Sequence, residues 1–444
     1  MTVMRVLGTA VLILAFSGHC FAKRVIIMIA DGQGFNCIKA ANMYKGNYTQ
    51  ADSFDMANVD WDVRLAMRTN SANNVLGYDP QAMWADFEWS KKHATDSSSA
   101  ASAMFSGQKI LNGQLNLSSQ GQRLTTLFEQ ASKAGYATGV VTSVEISHAT
   151  PAAAAAHNTS RNNFSEIANE MIYESGMDVI MGAGHPLYDN DAARAKANYD
   201  FVGGPRTWAD ITDSNGANGF KFIESKADFE TLAAGKVSGA KYLGIAAVRE
   251  TLQQKRKGSQ VQDVNTATYN AHVPSLAAMS LAALNVLEQD KDGFALMIEG
   301  GAVDWANHAN QKGRMIEEET AFMEAVARVA RWIDKHGGWD QTLLIVSADH
   351  ETGQLYGPVA GQFNEIITQG TGQVPLMNYN STGHTNALVP LYAKGAGAKD
   401  FETAAIGIDK IRGKFVDNTS IYQIVLKLLI LDDSKPKIKV ASAP

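Results

Sequence analysis

The sequence predicts an α/β fold, a three-layer sandwich whose large, mainly parallel central sheet is flanked by helices and carries surface insertions. Three observations predict it: short apolar runs recur along the chain, helical patterns alternate with them, and chemically active residues directly follow several of the runs. The runs are RVIIMIA (24–30), ATGVVTSV (137–144), DVIMG (178–182), FALMIE (294–299) and TLLIVSA (342–348). Unbroken apolar character, rather than alternation, suits strands covered on both faces. Between them lie the helical patterns LTTLFEQASKAG (124–135), FSEIANEMIYESG (164–176), SLAAMSLAALNVLEQ (275–289) and a long one over 313–335. SIYQIVLKLLIL (420–431) reads as a last helix packed on the sheet.

The chain has 444 residues, 45% of them hydrophobic and 19% charged, a globular composition that excludes disorder. Its net charge is −6 and it has no basic block, so no nucleic-acid-binding surface is evident. KPKIK (435–439) is short and reads as a solvated tail. The first 22 residues carry Arg5, an apolar stretch over 6–16 and small residues before Lys23, the pattern of a secretory signal peptide cleaved after Ala22. The apolar stretch is too short for a membrane anchor. The expected protein is therefore exported, periplasmic or secreted. Of its two cysteines, Cys20 and Cys37, only Cys37 remains after cleavage, so the core and bound metals must replace disulfides. Residues 23–444 read as a single domain with irregular surface insertions around 186–270, rich in Gly, Asn, Asp and Lys, and 356–383, rich in Gly, Gln and Asn.

In open α/β sheets, ligands bind beyond the carboxyl ends of the strands. Asp31, then His148 and Thr150, then Glu299, then Asp349 and His350 follow four of the apolar runs. Asp304 and His308 are four apart, one turn along a shared helix face, a spacing that suits zinc as well as a plain helix ion pair. His384 joins the same edge if the apolar run at 387–393 is an antiparallel strand. Carboxylates crowded together repel unless cations neutralise them. HATDSSSAASAMFSGQK (93–109) adds a helix start capped by Thr, Asp or Ser, whose N–H groups suit an anion. These residues alone do not say which of its serines, if any, is a nucleophile.

The chain resembles the bacterial alkaline phosphatases in the motifs IIMIADGQG, ATDSSSAASA, SHATPAAAAAHNTSR, MIEGGAVDWANHA, SADHETG and TGHTNALVPLYAKG, which occur in order across nearly the whole sequence. The resemblance implies that Ser97, directly after Thr95-Asp96, is the nucleophile, and that Ser98, Ser99 and Ser102 are helix residues. It implies a first zinc on Asp304, His308 and His384, and a second on Asp31, Asp349 and His350 with Ser97 approaching it. A magnesium ion on Asp31, Thr150 and Glu299 completes the set, with oxygen-only donors that fit its hard preference. Arg161 resembles the phosphate-gripping arginine, with Asp96 holding it. Other members carry Asp and Lys where His148 and Trp305 stand; His148 then lies behind the third metal's ligands, binds it directly or simply packs, and Trp305 cannot hold phosphate through water as Lys does. The implied activity is hydrolysis of phosphate monoesters at alkaline pH through a phosphoserine, with two zinc ions and one magnesium. The expected substrate range is broad, with inorganic phosphate as product, and the expected assembly is a homodimer.

Overall fold

In the computed structural model, residues 24–48, 54–239, 241–258 and 261–430 are described. The signal segment 1–22 and the tail at 435–439 lie outside the described residues. The strands, in chain order, are β1 (Arg24–Ala30), β2 (Val63–Arg68), β3 (Ala137–Glu145), β4 (Val179–Ala183), β5 (Lys221–Ile223), β6 (Tyr242–Ile245), β7 (Phe294–Gly300), β8 (Thr342–Ser347), β9 (Glu351–Thr352), β10 (His384–Thr385), β11 (Val389–Gly395), β12 (Gly407–Asp409) and β13 (Gly413–Asp417). Eleven of them form one sheet in the order β12-β13-β2-β11-β8-β1-β7-β3-β4-β6-β5, and β9 pairs with β10 alone. From β8 through β5 every pairing is parallel. β11 runs antiparallel to both β8 and β2.

The apolar runs are explained by burial on both sides. Val25, Ile27 and Ile29 of β1 enter one core with Ala101, Met104 and Phe105 of the Ser97–Ser106 helix and Ile421, Ile424 and Val425 of the Thr419–Ile430 helix. Ile26, Met28 and Ala30 enter the opposite core with the Leu276–Leu287 helix and Phe322, Val326 and Val329 of the Lys312–Lys335 helix. β7 and β8 alternate in the same way. The outcome is helices, sheet, helices.

Caps trim the helices relative to their sequence patterns. The expected 124–135 helix spans Leu127–Lys133, because Thr126 and Glu129 form a reciprocal capping box before it. Gly135, at φ +84°, takes the left-handed conformation just beyond its end. The 186–270 region differs more from expectation. It is not purely a surface excursion, since β5 and β6 extend the main sheet beyond β4 and bury Tyr242, Leu243 and Ile245. The 356–383 segment holds only isolated pairings, Tyr356 with Asn378 and Ile367 with Leu376. Among the described residues, no helix is long and apolar enough to cross a membrane.

Register places the chemistry. Arg24 lies opposite both Phe294 and Thr342, and Ala137 also lies opposite Phe294. The carboxyl ends of β1, β3, β7 and β8 therefore reach one edge together, with Ala30 beside Gly300 and Thr142 beside Glu299. Antiparallel β11 begins at that edge, so the residues before it, including His384, arrive there too.

Ile27 is fully buried at the centre of this arrangement. Ile27→Ala is expected to cost about 2–5 kcal/mol of stability in urea unfolding, the range for truncating a buried aliphatic side chain. A loss below about 1 kcal/mol would contradict the two-sided burial of β1.

Candidate active site

The Ser97–Ser106 helix starts at the edge where the strands end. Asp96 caps it, accepting a hydrogen bond from the Ser99 N–H at 3.0 Å. The same carboxylate accepts from Ser98 Oγ at 2.7 Å, Ser99 Oγ at 2.7 Å and the Gly113 N–H at 3.0 Å. Ser102 Oγ accepts from the Asn116 N–H at 3.0 Å. Ser98, Ser99 and Ser102 are thus committed to structure. Ser97 is different: its Oγ lies 3.1 Å from His350 Nε2 and it lines the open cleft.

Arg161 reaches the same place from the loop after the Ala149–Ala155 helix. Its Nη1 donates to Asp96 Oδ2 at 3.2 Å, and its Nη2 lies 3.3 Å from His148 Nε2. Burial would raise the Asp96 carboxyl, but Arg161 and the hydrogen bonds from Ser99 and Ser98 outweigh it and hold it below the usual range. His148 is pushed down to about 3 by burial and by Arg161, so its ring is neutral at pH 7.

The acids and histidines expected at this edge fall into three clusters, each with candidate ligand atoms within 4.8 Å of one another: Asp304, His308 and His384; Asp31, Asp304 and His350; and Asp31, His148 and Glu299. Asp349 adjoins the second, its Oδ2 lying 3.2 Å from His350 Nε2. Thr150, fully buried, lies beside Glu299. The rings are oriented from behind. His308 Nδ1 faces the Thr382 carbonyl at 2.5 Å and His384 Nδ1 faces the Thr95 carbonyl at 2.8 Å. A carbonyl requires a donor, so both Nδ1 atoms carry a proton, and the two Nε2 atoms face each other at 3.0 Å with Asp304 Oδ2 lying 3.3 Å from that of His308. Deprotonated, the two Nε2 atoms and Asp304 offer a cation one shared set of donors.

The carboxylates make the same demand. No well-aligned hydrogen bond reaches either oxygen of Asp31, Oε1 of Glu299 or Oδ2 of Asp349, all of them buried. Asp31 is driven well above its usual range by burial and by Asp349, Asp304 and Glu299. Burial, with Asp349 adding to it, pushes Glu299 up to about 8. Burial and Asp304 raise Asp349 to about 7. Asp304 goes the other way: burial would raise it, but His308, His384 and His350 pull it down. His308 rises to about 9, the Asp304 carboxylate overcoming the effect of burial. The donor sets fit cations: nitrogen and oxygen at the first two clusters, mainly oxygen at the third.

Several supporting residues are not apparent from the sequence. Thr142 Oγ1 donates to Glu299 Oε2 from within β3; its run also holds Thr138 and Ser143, so nothing local singles it out. Thr352 Oγ1 donates to Asp304 Oδ1 at 2.6 Å and lies 3.2 Å from His350 Nδ1, tying two clusters together. Gly32, at φ +72°, lets the turn after β1 approach the Ala302–His308 helix; a Cβ there would lie 2.7 Å from the Asp304 Cα. Above the clusters opens a cleft of about 790 Å³, bordered by Ser97, Arg161, His148, Trp305 and Lys255. His148 and Trp305 meet edge to face, their ring centroids 5.7 Å apart.

Known proteins resemble this chain. Over residues 22–421 the chain matches the family described as alkaline phosphatase. It is 29% identical over 334 residues to alkaline phosphatase 4 of Bacillus subtilis (strain 168), covering 74% of this chain and 62% of that protein. The chain thus spans somewhat less than two thirds of that relative's length. It is 28% identical over 410 residues to the alkaline phosphatase of Escherichia coli (strain K12), covering 85% of this chain and 82% of that protein. The solved structure of the alkaline phosphatase from the Antarctic bacterium TAB5 superposes with a TM-score of 0.65 at 25% identity, covering 92% of this chain and 98% of that one. With the family match spanning nearly its whole length, the chain belongs to the alkaline phosphatase family.

Proposed function

We propose that the protein hydrolyses phosphate monoesters at alkaline pH through a phosphoserine on Ser97, with broad tolerance of the leaving group. One observation carries the reading: a single cleft presents Ser97 Oγ at a helix start, Arg161 braced on Asp96, and clustered carboxylates and imidazoles that call for cations. In this reading two zinc ions are held by Asp304, His308 and His384 and by Asp31, Asp349 and His350. A magnesium ion is held by Asp31, Thr150 and Glu299, with His148 behind them. Bound there, the cations supply positive charge that favours the ionised Ser97 oxygen and offsets charge on the leaving oxygen.

The chain's own residues do the rest. Ser97 Oγ forms a bond to phosphorus as the ester P–O bond breaks in line, and the leaving oxygen departs with the bonding pair and takes up a proton. Arg161 grips the equatorial phosphoryl oxygens, and the N–H groups at the helix start add to that grip. Water then bonds to phosphorus, the Ser97–phosphorus bond breaks, and inorganic phosphate leaves as the serine oxygen regains its proton. Ser98 and Ser99 take no part, since Asp96 holds both hydroxyls. Export after cleavage at Ala22 and assembly as a homodimer belong to the same proposal. Exposed Val75, Leu76 and Ile408 supply apolar surface for a partner copy. Intact mass and sedimentation velocity of the secreted protein check both.

The test compares p-nitrophenyl phosphate with bis-p-nitrophenyl phosphate. Monoester turnover is expected to dominate, and Ser97→Ala is expected to lose on the order of 10³-fold or more in kcat. Preferred turnover of the diester, or an active Ser97→Ala, would refute the reading.

Metal removal gives a second test, one that does not depend on activity. In the cation-free protein, Asp349, Glu299 and His308 titrate near 7, 8 and 9, above their ordinary values. Groups raised on folding contribute stability that is present at low pH and lost as pH rises through the folded values. The melting temperature of chelator-treated protein should therefore fall between about pH 6 and 9. Zinc and magnesium should lessen that fall, because cations replace the protons at these three groups, while Glu145, Glu318, Glu319 and Glu351, raised by burial elsewhere, sustain the remainder. The same slope with and without cations would show that these groups do not bind them.

A further inference from the structure

The cleft is far larger than a phosphoryl group, and one of its walls comes from the 186–270 region. The segment QKRKG (254–258) delivers Gln254, Lys255 and Lys257 to the border of the cavity that also contains Ser97 and Arg161. Its three cations have different fates. Arg256 is buried and its Nη2 is bound to Glu317 Oε2 at 2.8 Å, so its charge is spent in the interior. Lys257, 86% exposed, pairs with Asp191 at 2.8 Å. Lys255 is held at the cleft: its Nζ lies 4.5 Å from the centre of the Trp305 ring and 2.6 Å from Glu250 Oε1.

The anchor is itself anchored. Asn190 Nδ2 donates to Glu250 Oε2 at 2.6 Å, and the Glu250 N–H donates to Asn190 Oδ1 at 2.9 Å. The Lys255 N–H donates to Thr251 Oγ1 at 2.9 Å. An ammonium has three donors, and Glu250 takes one. A short ladder links this ammonium to the phosphoryl grip: Arg161 to His148 at 3.3 Å, the His148 ring to the Trp305 ring at 5.7 Å, and Trp305 to Lys255. Two positive groups therefore border one cavity, separated by the breadth of an imidazole and an indole.

We propose that Lys255 is a specificity residue that receives a second anionic group, phosphate or carboxylate, on the leaving portion of the substrate. The cleft then favours phosphomonoesters carrying such a group over otherwise similar ones that lack it. The inference rests on the phosphomonoesterase reading and narrows its substrate class. Arg161 and Ser97 engage the phosphoryl group being transferred, and Lys255 engages the far anion through a charge-assisted hydrogen bond. A preorganised ammonium gives the preference without loop movement.

The experiment measures kcat/KM for fructose 1,6-bisphosphate and for fructose 6-phosphate with the metal-loaded enzyme, and repeats it with Lys255→Gln and Lys255→Arg. Both substrates pass over the same Ser97, so a general loss cancels in the ratio of the two efficiencies. The wild type should prefer the bisphosphate by roughly tenfold, the scale of one charge-assisted contact. Lys255→Gln should bring the ratio close to one, chiefly through KM, and Lys255→Arg should preserve it. Raising the salt concentration should shrink the preference. Equal efficiencies in the wild type, or a ratio unchanged by Lys255→Gln, overturns the assignment and marks Lys255 as a clamp for its own segment. Turnover of p-nitrophenyl phosphate but of neither sugar phosphate overturns it as well and leaves the phosphatase reading intact. Turnover of none of the three overturns both.

Discussion

Like charges crowded into a buried space set the terms for this protein. Asp31, Glu299, Asp304 and Asp349 meet where four parallel strands end, all of them buried. Water is too scarce there to spread their charge, and most of their oxygens face one another or the Nε2 edges of histidines. Protons ease the repulsion at low pH, and the donor sets suit cations once the protons leave. The threonine hydroxyls, the carbonyls behind His308 and His384 and the close turn at Gly32 all serve to hold these groups despite their repulsion.

Much of the frame is legible from sequence because burial on both faces writes an unbroken apolar run. β1 and β8 start where their runs start, and β7 departs by one residue at its end. Shorter or mixed strands leave no such mark. β2, VRLAMR, contains two arginines, one of which pairs with Asp417 across the sheet, and β6 has only four residues. The site divides in the same way. Acids and histidines directly after strand-like runs stand out, because the carboxyl edge of a parallel sheet is where ligands gather. Ser97 stands out only through resemblance, since five serines share its stretch. Thr142, Thr352 and Lys255 stay hidden because their roles depend on partners far away in the chain, and no local pattern encodes such a partner.

Asp96 shows how few groups set Ser97 apart from the serines beside it. A single carboxylate ends one backbone segment, starts a helix, orients a guanidinium and occupies the hydroxyls of Ser98 and Ser99. By taking those two hydroxyls it leaves Ser97 as the hydroxyl of the triplet that borders the cleft. Position within a cap, rather than any difference in serine chemistry, separates Ser97 from its neighbours.

The order of strands has a bearing on when this chemistry can exist. β1, which leads to Asp31, is flanked by β7 and β8, both from late in the chain, and His384 comes from later still, ahead of β11. Pairings between segments so distant in sequence form slowly. No early fragment can gather more than a part of the cluster, so a chain still emerging from the ribosome lacks the complete centre. The cluster is complete only when the segment carrying His384, just ahead of β11, has joined the sheet.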